Sequence, residues 1–405
     1  MKSWIILVIM FHKEVFVKRA GKMKKLFLFL ISIILFLCVP VATIEGQKVS
    51  KISNQQLKKV INKMTLQQKV AQMYLIPTQS GQQNTAAFIK ENQPGGLILF
   101  GNDFKEQTKQ QFIGNLQNYQ GHANLSLLIG TDQEGGTVSR LDANPQLTGN
   151  QTFASPQQLY QSGGSQAVVK AAGATAQLLH SLQINLNFAP VADVSSDSNS
   201  FIYKRTLGLN YQQTATVIKT EIPQIQKNHV AASLKHFPGY GGAAGDTHTG
   251  FASTDKALAD FEKNDFLPFK AGGIKAGGAQ TVLVSHIFVT AIDPDYPASL
   301  SPKIHQLLRQ KLHFKKVIIT DDLSMGAITK FAADRHVSPD LLAVEAGNDM
   351  LLSNNFAQGV PTIVKAVQDK QIKEAQINKS VYRILSLKRN LGLLKQENLK
   401  DYQKN

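Results

Sequence analysis

Eight short apolar runs recur along this chain, and they constrain its fold more than any other feature. They are "VAQMYLIP" (70–77), "GGLILF" (95–100), "LSLLIGTDQ" (125–133), "INLNFAPVADV" (184–194), "VAASLKHF" (230–237), "TVLVSHI" (281–287), "KVIITDD" (316–322) and "DMLLSN" (349–354). Rich in leucine and β-branched residues without strict alternation, they read as strands buried on both faces. Between them lie stretches such as "SPKIHQLLRQKL", apolar at three- and four-residue spacing, as a covering helix requires. Strand then helix, eight times over, predicts an α/β fold: a (β/α)8 TIM-like barrel forming a single domain. The final stretch, "SVYRILSLKRNLGLL" (380–394), puts Val381, Ile384, Leu385 and Leu391 on one stripe and is expected to seal the barrel.

Residues 1–47 read differently from the barrel segment, 48–405. A basic cluster, Lys22, Lys24 and Lys25, precedes the apolar run Leu26 to Val41, the pattern of an export signal or membrane anchor. The run is shorter than the roughly 20 residues a spanning helix needs. The single cysteine, Cys38, lies inside it, so disulfides cannot staple the exported part. The formal net charge is +16. Such an excess suits an anionic polymer such as a cell wall, and equally a solvated basic surface. No aromatic-interleaved basic motif or metal-finger spacing supports nucleic acid.

Most of the runs end in polar residues: Asp132, Asp193, Lys235 with His236, Ser285 with His286, Asp321 with Asp322, and Ser353. In a barrel the loops that follow the strands share one rim, and that rim carries the active site. A carboxylate at a buried strand end is costly unless it has a purpose or a partner. Of Asp321 and Asp322, one is assigned to chemistry and the other to capping or loop support. The segment "GYGGAAGDTHTG" holds Asp246 two residues before His248. An aspartate so placed can accept the Nδ1–H bond and leave Nε2 as an acid/base near neutral pH. The glycine density suggests a mobile loop that swings His248 in as a lid. A metal held by His236, Asp246 and His248 is the competing reading, although no HExxH or cysteine set supports it. "GTDQEGGTVSRL" offers Asp132, Glu134 and Arg140, while Lys204 and Arg205 in "FIYKRTLG" are by themselves ordinary loop charges.

The motifs "TDQEGGTVSRL", "NFAPVADV", "KHFPGYG" with "DTH", "LVSHI", "PASLS", "VIITDDLSMGAI" and "AGNDMLLS" together resemble glycoside hydrolase family 3, in its bacterial β-N-acetylglucosaminidase branch. The resemblance runs in order from about Gln67 to Leu394. It implies that Asp321 is a nucleophile, that His248 assisted by Asp246 is the acid/base, and that Asp132, Arg140, Arg205, Lys235 and His236 bind sugar. It further implies a retaining enzyme that removes non-reducing N-acetylglucosamine from β-linked saccharides, including muropeptides, through a covalent glycosyl-enzyme. No metal or cofactor is expected. The same machinery could serve a β-glucosidase, a β-xylosidase or a glycoside phosphorylase, or persist in a non-catalytic wall-binding protein. The protein is expected to be secreted or membrane-anchored on the wall side of a bacterium, touching membrane only through its N-terminal segment. Two departures from the branch pattern stand out: Tyr240 where histidine is usual, and "RTLG" (205–208) where "RSFG" is frequent.

Overall fold

The computed structural model describes residues 52–79, 82–273 and 278–402. The expected export segment, residues 1–47, lies outside the described residues, and among the described residues no helix is long and apolar enough to cross a membrane.

Each of the eight apolar runs contains one strand: β1 (Tyr74–Pro77), β2 (Gly96–Leu99), β3 (Leu128–Thr131), β4 (Leu186–Asn187), β5 (Ala231–Phe237), β6 (Thr281–Val284), β7 (Val317–Thr320) and β8 (Leu351–Leu352). They form one parallel sheet in the spatial order β7-β6-β5-β4-β3-β2-β1-β8. A parallel bridge between Ile319 and Met350 then joins β7 to β8, so the sheet closes on itself. The fold is the predicted (β/α)8 barrel. Register is set by pairs such as Leu97 opposite Ile129 and Val317 opposite Thr281. Every residue of β2, β3, β5, β6 and β7 is buried, as expected for strands covered by side chains within and helices without.

The helices start where the sequence supplies a cap. Ser53, Thr65, Thr108, Ser155 and Asn210 each accept from the backbone N–H three residues on, where a glutamine side chain reaches back to the cap. These reciprocal boxes satisfy two otherwise orphaned N–H groups each. The last long helix, Glu374–Asn390, buries Val381, Ile384 and Leu385 as expected, whereas Leu391 falls just past its end and is only half-buried.

A cavity of about 270 Å³ lies between the helices Pro156–Ser181 and Tyr211–Gln226 on one side and, on the other, the loop after β3 and the end of β4 with its following loop. Glu134, in the loop after β3, also lines it. Glu221 stands at its wall, almost wholly buried, and its side chain has no polar partner among the described residues. Burial pushes its carboxyl up to about 8. The folded protein therefore holds this proton where the unfolded chain has released it, and stability falls as pH rises from about 4.5 toward 8. The slope contributed is at most about 1.4 kcal/mol per pH unit. Glu221→Gln removes it: in thermal unfolding, the variant's Tm advantage over the wild type should be small at pH 5 and widen at pH 8.

Candidate active site

All of the site residues expected from the sequence lie on the rim formed by the C-terminal ends of the strands. Strand β5 contributes two of them from within. Lys235 and His236 sit in a fully buried strand, so each must find partners in the loops that follow β3 and β4. Lys235 Nζ meets Asp132 Oδ1 at 2.7 Å and Glu134 Oε1 at 2.5 Å. Arg205 spans the two oxygens of Glu134, through Nε at 2.9 Å and Nη2 at 2.7 Å. The same Nη2 donates to His236 Nε2 at 3.1 Å, while His236 Nδ1 lies 2.6 Å from Asp193 Oδ2. Because a guanidinium can only donate, His236 Nε2 is the acceptor and Nδ1 carries the hydrogen given to Asp193. Arg140 reaches Asp132 Oδ2 at 3.7 Å and packs over the Phe100 ring.

Burial alone would raise the Glu134 carboxyl, yet Arg205 and Lys235 overcome it and hold the group well below the ordinary carboxylate range. Burial likewise works against the Lys235 ammonium, and Asp132 with Glu134 reverses it, so its pKa is raised. Glu134, Arg205 and Lys235 each hold their charge by way of the others. The members of this network are fixed by each other rather than by solvent.

Asp321 follows β7 directly. Both Asp321 and Asp322 lie past the end of the strand, so an alternation of strand faces does not separate them. Asp321 N–H donates to Val284 O at 2.9 Å, and its Oδ1 accepts from Asp322 N–H at 2.9 Å. Burial opposes its ionisation. His286 and His236, when protonated in acid, together with Lys235 outweigh that cost and keep it below the usual carboxylate value. Asp322 takes the supporting role: its Oδ1 accepts from both the N–H and the hydroxyl of Ser324. It does not cap the next helix, Gly326–Arg335, whose first turn receives no side-chain bond. His286 Nε2 lies 2.8 Å from Asp322 O and Nδ1 lies 2.7 Å from Ser299 Oγ. A carbonyl only accepts, so Nε2 carries the hydrogen, and burial lowers the pKa of this ring, which favours its uncharged form.

The loop after β5 brings His248 to the same place. Its Nδ1 is 2.7 Å from Asp246 Oδ1, and its backbone N–H donates to the same oxygen. The ring stacks obliquely on Phe201, with centroids 5.1 Å apart, and its side chain remains 52% exposed. The sequence suggested a lid free to swing, but the structure pins this loop at several points. Thr247 O and His248 O accept from the N–H groups of Ala327 and Gly326, the first turn of the helix that follows Asp321. Tyr240 OH donates to Gly245 O at 3.1 Å and accepts from Thr247 N–H at 3.0 Å. Gly241 passes so close to Val194 that a Cβ would overlap its carbonyl oxygen, and Gly245 holds φ +101°. The glycines therefore serve close approach and a left-handed turn as much as freedom.

A metal on His236, Asp246 and His248 does not fit this arrangement, because both ring nitrogens of His236 are engaged. Among the described residues no cluster of three potential ligands is close enough to hold an ion.

Residues 65–387 match the family described as "Glycosyl hydrolase family 3 N terminal domain". The chain belongs to glycosyl hydrolase family 3. It is similar to a protein named β-hexosaminidase A from Pseudoalteromonas piscicida, 30% identical over 325 residues, 73% of this chain and 53% of that one. A protein named β-hexosaminidase from Xanthomonas oryzae pv. oryzae is 31% identical over 296 residues, 72% of this chain and 85% of the relative. Among solved structures, a family 3 β-N-acetylglucosaminidase from Paenibacillus sp. str. FPU-7 superposes with a TM-score of 0.73 at 29% identity, covering 82% of this chain and 63% of that one. The chain thus spans about half of the first relative and under two thirds of the Paenibacillus enzyme.

Within this family 3 rim, three residues that the sequence named without assigning them a site role act as partners. Glu134 ties Lys235 to Arg205, Asp193 orients His236 and also accepts from Tyr240 N–H, and His286 joins Asp322 to Ser299. All three stood in or beside motifs already recognised, and the signal was a buried Lys235 in need of anions. Tyr240, the departure from the branch pattern, is the loop's brace. Tyr240→Phe should leave Thr247 N–H buried without an acceptor, a cost of about 1–3 kcal/mol. Hydrogen exchange read by mass spectrometry should then speed up about tenfold in residues 245–250 and stay unchanged in β7; equal protection in both proteins would remove Tyr240 from this role.

Proposed function

We propose that this protein is a retaining β-N-acetylglucosaminidase that removes non-reducing N-acetylglucosamine from β-linked saccharides, with peptidoglycan fragments as its natural substrates. The observation that carries the reading is the meeting of an ionised Asp321 and an Asp246-oriented His248 at one rim, joined through Gly326 and Ala327. Names of the family 3 relatives support the substrate class.

In this reading Asp321 attacks the anomeric carbon while His248 Nε2 protonates the departing oxygen, giving a glycosyl-enzyme. Asp246 keeps the hydrogen on Nδ1, so Nε2 is the atom that trades the proton. His248 then takes a proton from water, which releases the sugar with retained configuration. Its exposure suits contact with water in this second step. Asp132, Arg140, Arg205, Lys235 and His236 hold the sugar, and their mutual bonds fix them before it arrives. Arg205 acts partly through Glu134 and His236 in this scheme, because Nε and Nη2 are already spent on them. Export by the N-terminal segment would place the enzyme beside the wall.

Incubation with muropeptides, an aryl N-acetylglucosaminide and an aryl glucoside, with products identified by mass, separates this substrate from the glucosidase alternative. Asp321→Asn should abolish turnover without lowering Tm. His248→Ala should lose about 10²–10⁴-fold on saccharides but much less on an aryl glycoside whose leaving group needs no proton. Equal losses on both substrates would exclude His248 as the acid.

A further inference from the structure

The positive charge of this chain is not absorbed by the rim, and part of it gathers at the opposite end of the barrel. Asp349, buried just before β8, marks the place. Its carboxylate accepts from Ile318 N–H at 2.9 Å, Ser380 Oγ at 2.8 Å and Arg383 Nη1 at 2.9 Å, and it also pairs with Arg309. Two guanidiniums therefore share one carboxylate, which leaves a surplus of cation. Arg309 is anchored further by the carbonyls of Phe314 and Lys316.

Both arginines line a cleft of about 670 Å³, together with Lys58, Lys315, Lys379 and Tyr382. A second cavity of about 540 Å³ shares Arg309, Lys379 and Arg383 with the first and adds Lys373 and Glu345. The side chains of Lys58, Lys315, Lys373 and Lys379 have no ion pair or hydrogen bond among the described residues. Six cations thus stand beside two carboxylates along a trough formed by two cavities that share three residues, and one of those carboxylates is already shared by two arginines. A solvated surface scatters lysines over convex ground; here they border a concavity whose floor holds prefixed guanidiniums.

We propose that this trough is a second binding site, for a flexible phosphodiester polymer. The arginines at its centre take a phosphate, the lysines to either side take its neighbours, and Tyr382, Phe314 and Ile61 line the first cleft beside the apolar links of the chain. Two joined cavities exceed what one phosphate would fill. Phe314 is buried and only Tyr382 is half-exposed, so among the described residues the trough holds no stacking ladder for nucleic-acid bases. Because the trough lies at the N-terminal ends of the strands, a bound polymer leaves the C-terminal rim open. The site is independent of which glycoside the rim cleaves.

The test is binding of purified poly(glycerol phosphate) by the full protein across a salt series. The Lys58→Ala/Lys315→Ala/Lys379→Ala triple variant should raise Kd about tenfold or more and flatten its salt dependence. A control triple on other faces, Lys90→Ala/Lys105→Ala/Lys170→Ala, should bind as the wild type does. Thermal unfolding of both triples should match the wild type. Equal weakening by the two triples would reduce the effect to overall charge and overturn the proposal, as would unchanged binding by the trough triple. Tighter capture of polyglutamate or of single-stranded RNA would assign the wrong polymer, and full displacement by inorganic phosphate at equal phosphorus would make it a site for a free anion.

Discussion

The arrangement of this protein's rim depends on one interaction: Lys235 and Arg205 are buried, and Glu134 lies between them. Each cation would cost several kcal/mol if stranded without an anion at that depth. Glu134 bridges the two, Asp132 takes the outer side of Lys235, and Asp193 secures His236, which in turn receives from Arg205. Strands β3, β4 and β5 are thereby tied at their C-terminal ends by charges that cannot relax independently. That is why the donors are fixed before any ligand arrives, and why their orientation survives on loops with little regular structure.

The second half of the rim is held by backbone rather than charge. The helix after β7 presents two N–H groups that its own sequence leaves uncapped, and the carbonyls of Thr247 and His248 fill them. A helix start that lacks a side-chain cap has thus become the dock for the histidine loop. Tyr240 completes the brace from the other side. The consequence is that His248 and Asp321 are positioned through a shared helix, although they are far apart in sequence.

The barrel was legible because strands buried on both faces leave continuous apolar runs, and all eight held a strand. Their ends were less legible. The run 184–194 extends well past β4, since residues such as Ala189, Val191 and Ala192 are buried in the following loop just as strand residues would be. The named polar residues reached the rim together because the topology sends every strand-following loop there. Their pairings were harder to read: Glu134, Asp193 and His286 were named without a role, and they act through contacts across the barrel mouth that no local pattern encodes. The glycine-rich loop looked mobile in sequence because glycine density signals either freedom or close packing, and only the neighbours of Gly241 and Gly245 decide between them. The basic trough was invisible for a similar reason, its cations coming from positions 58, 309, 315, 373, 379 and 383.

The central claim is that Asp321 bonds to the sugar during turnover. The most direct test is to quench the protein during reaction with a 5-fluoro N-acetylglucosaminide, digest it, and locate the adduct by mass spectrometry. A glycosyl group on the carboxyl of Asp321, absent in the Asp321→Asn protein, is the expected result. Turnover with no adduct, or an adduct on any other residue, would contradict the account.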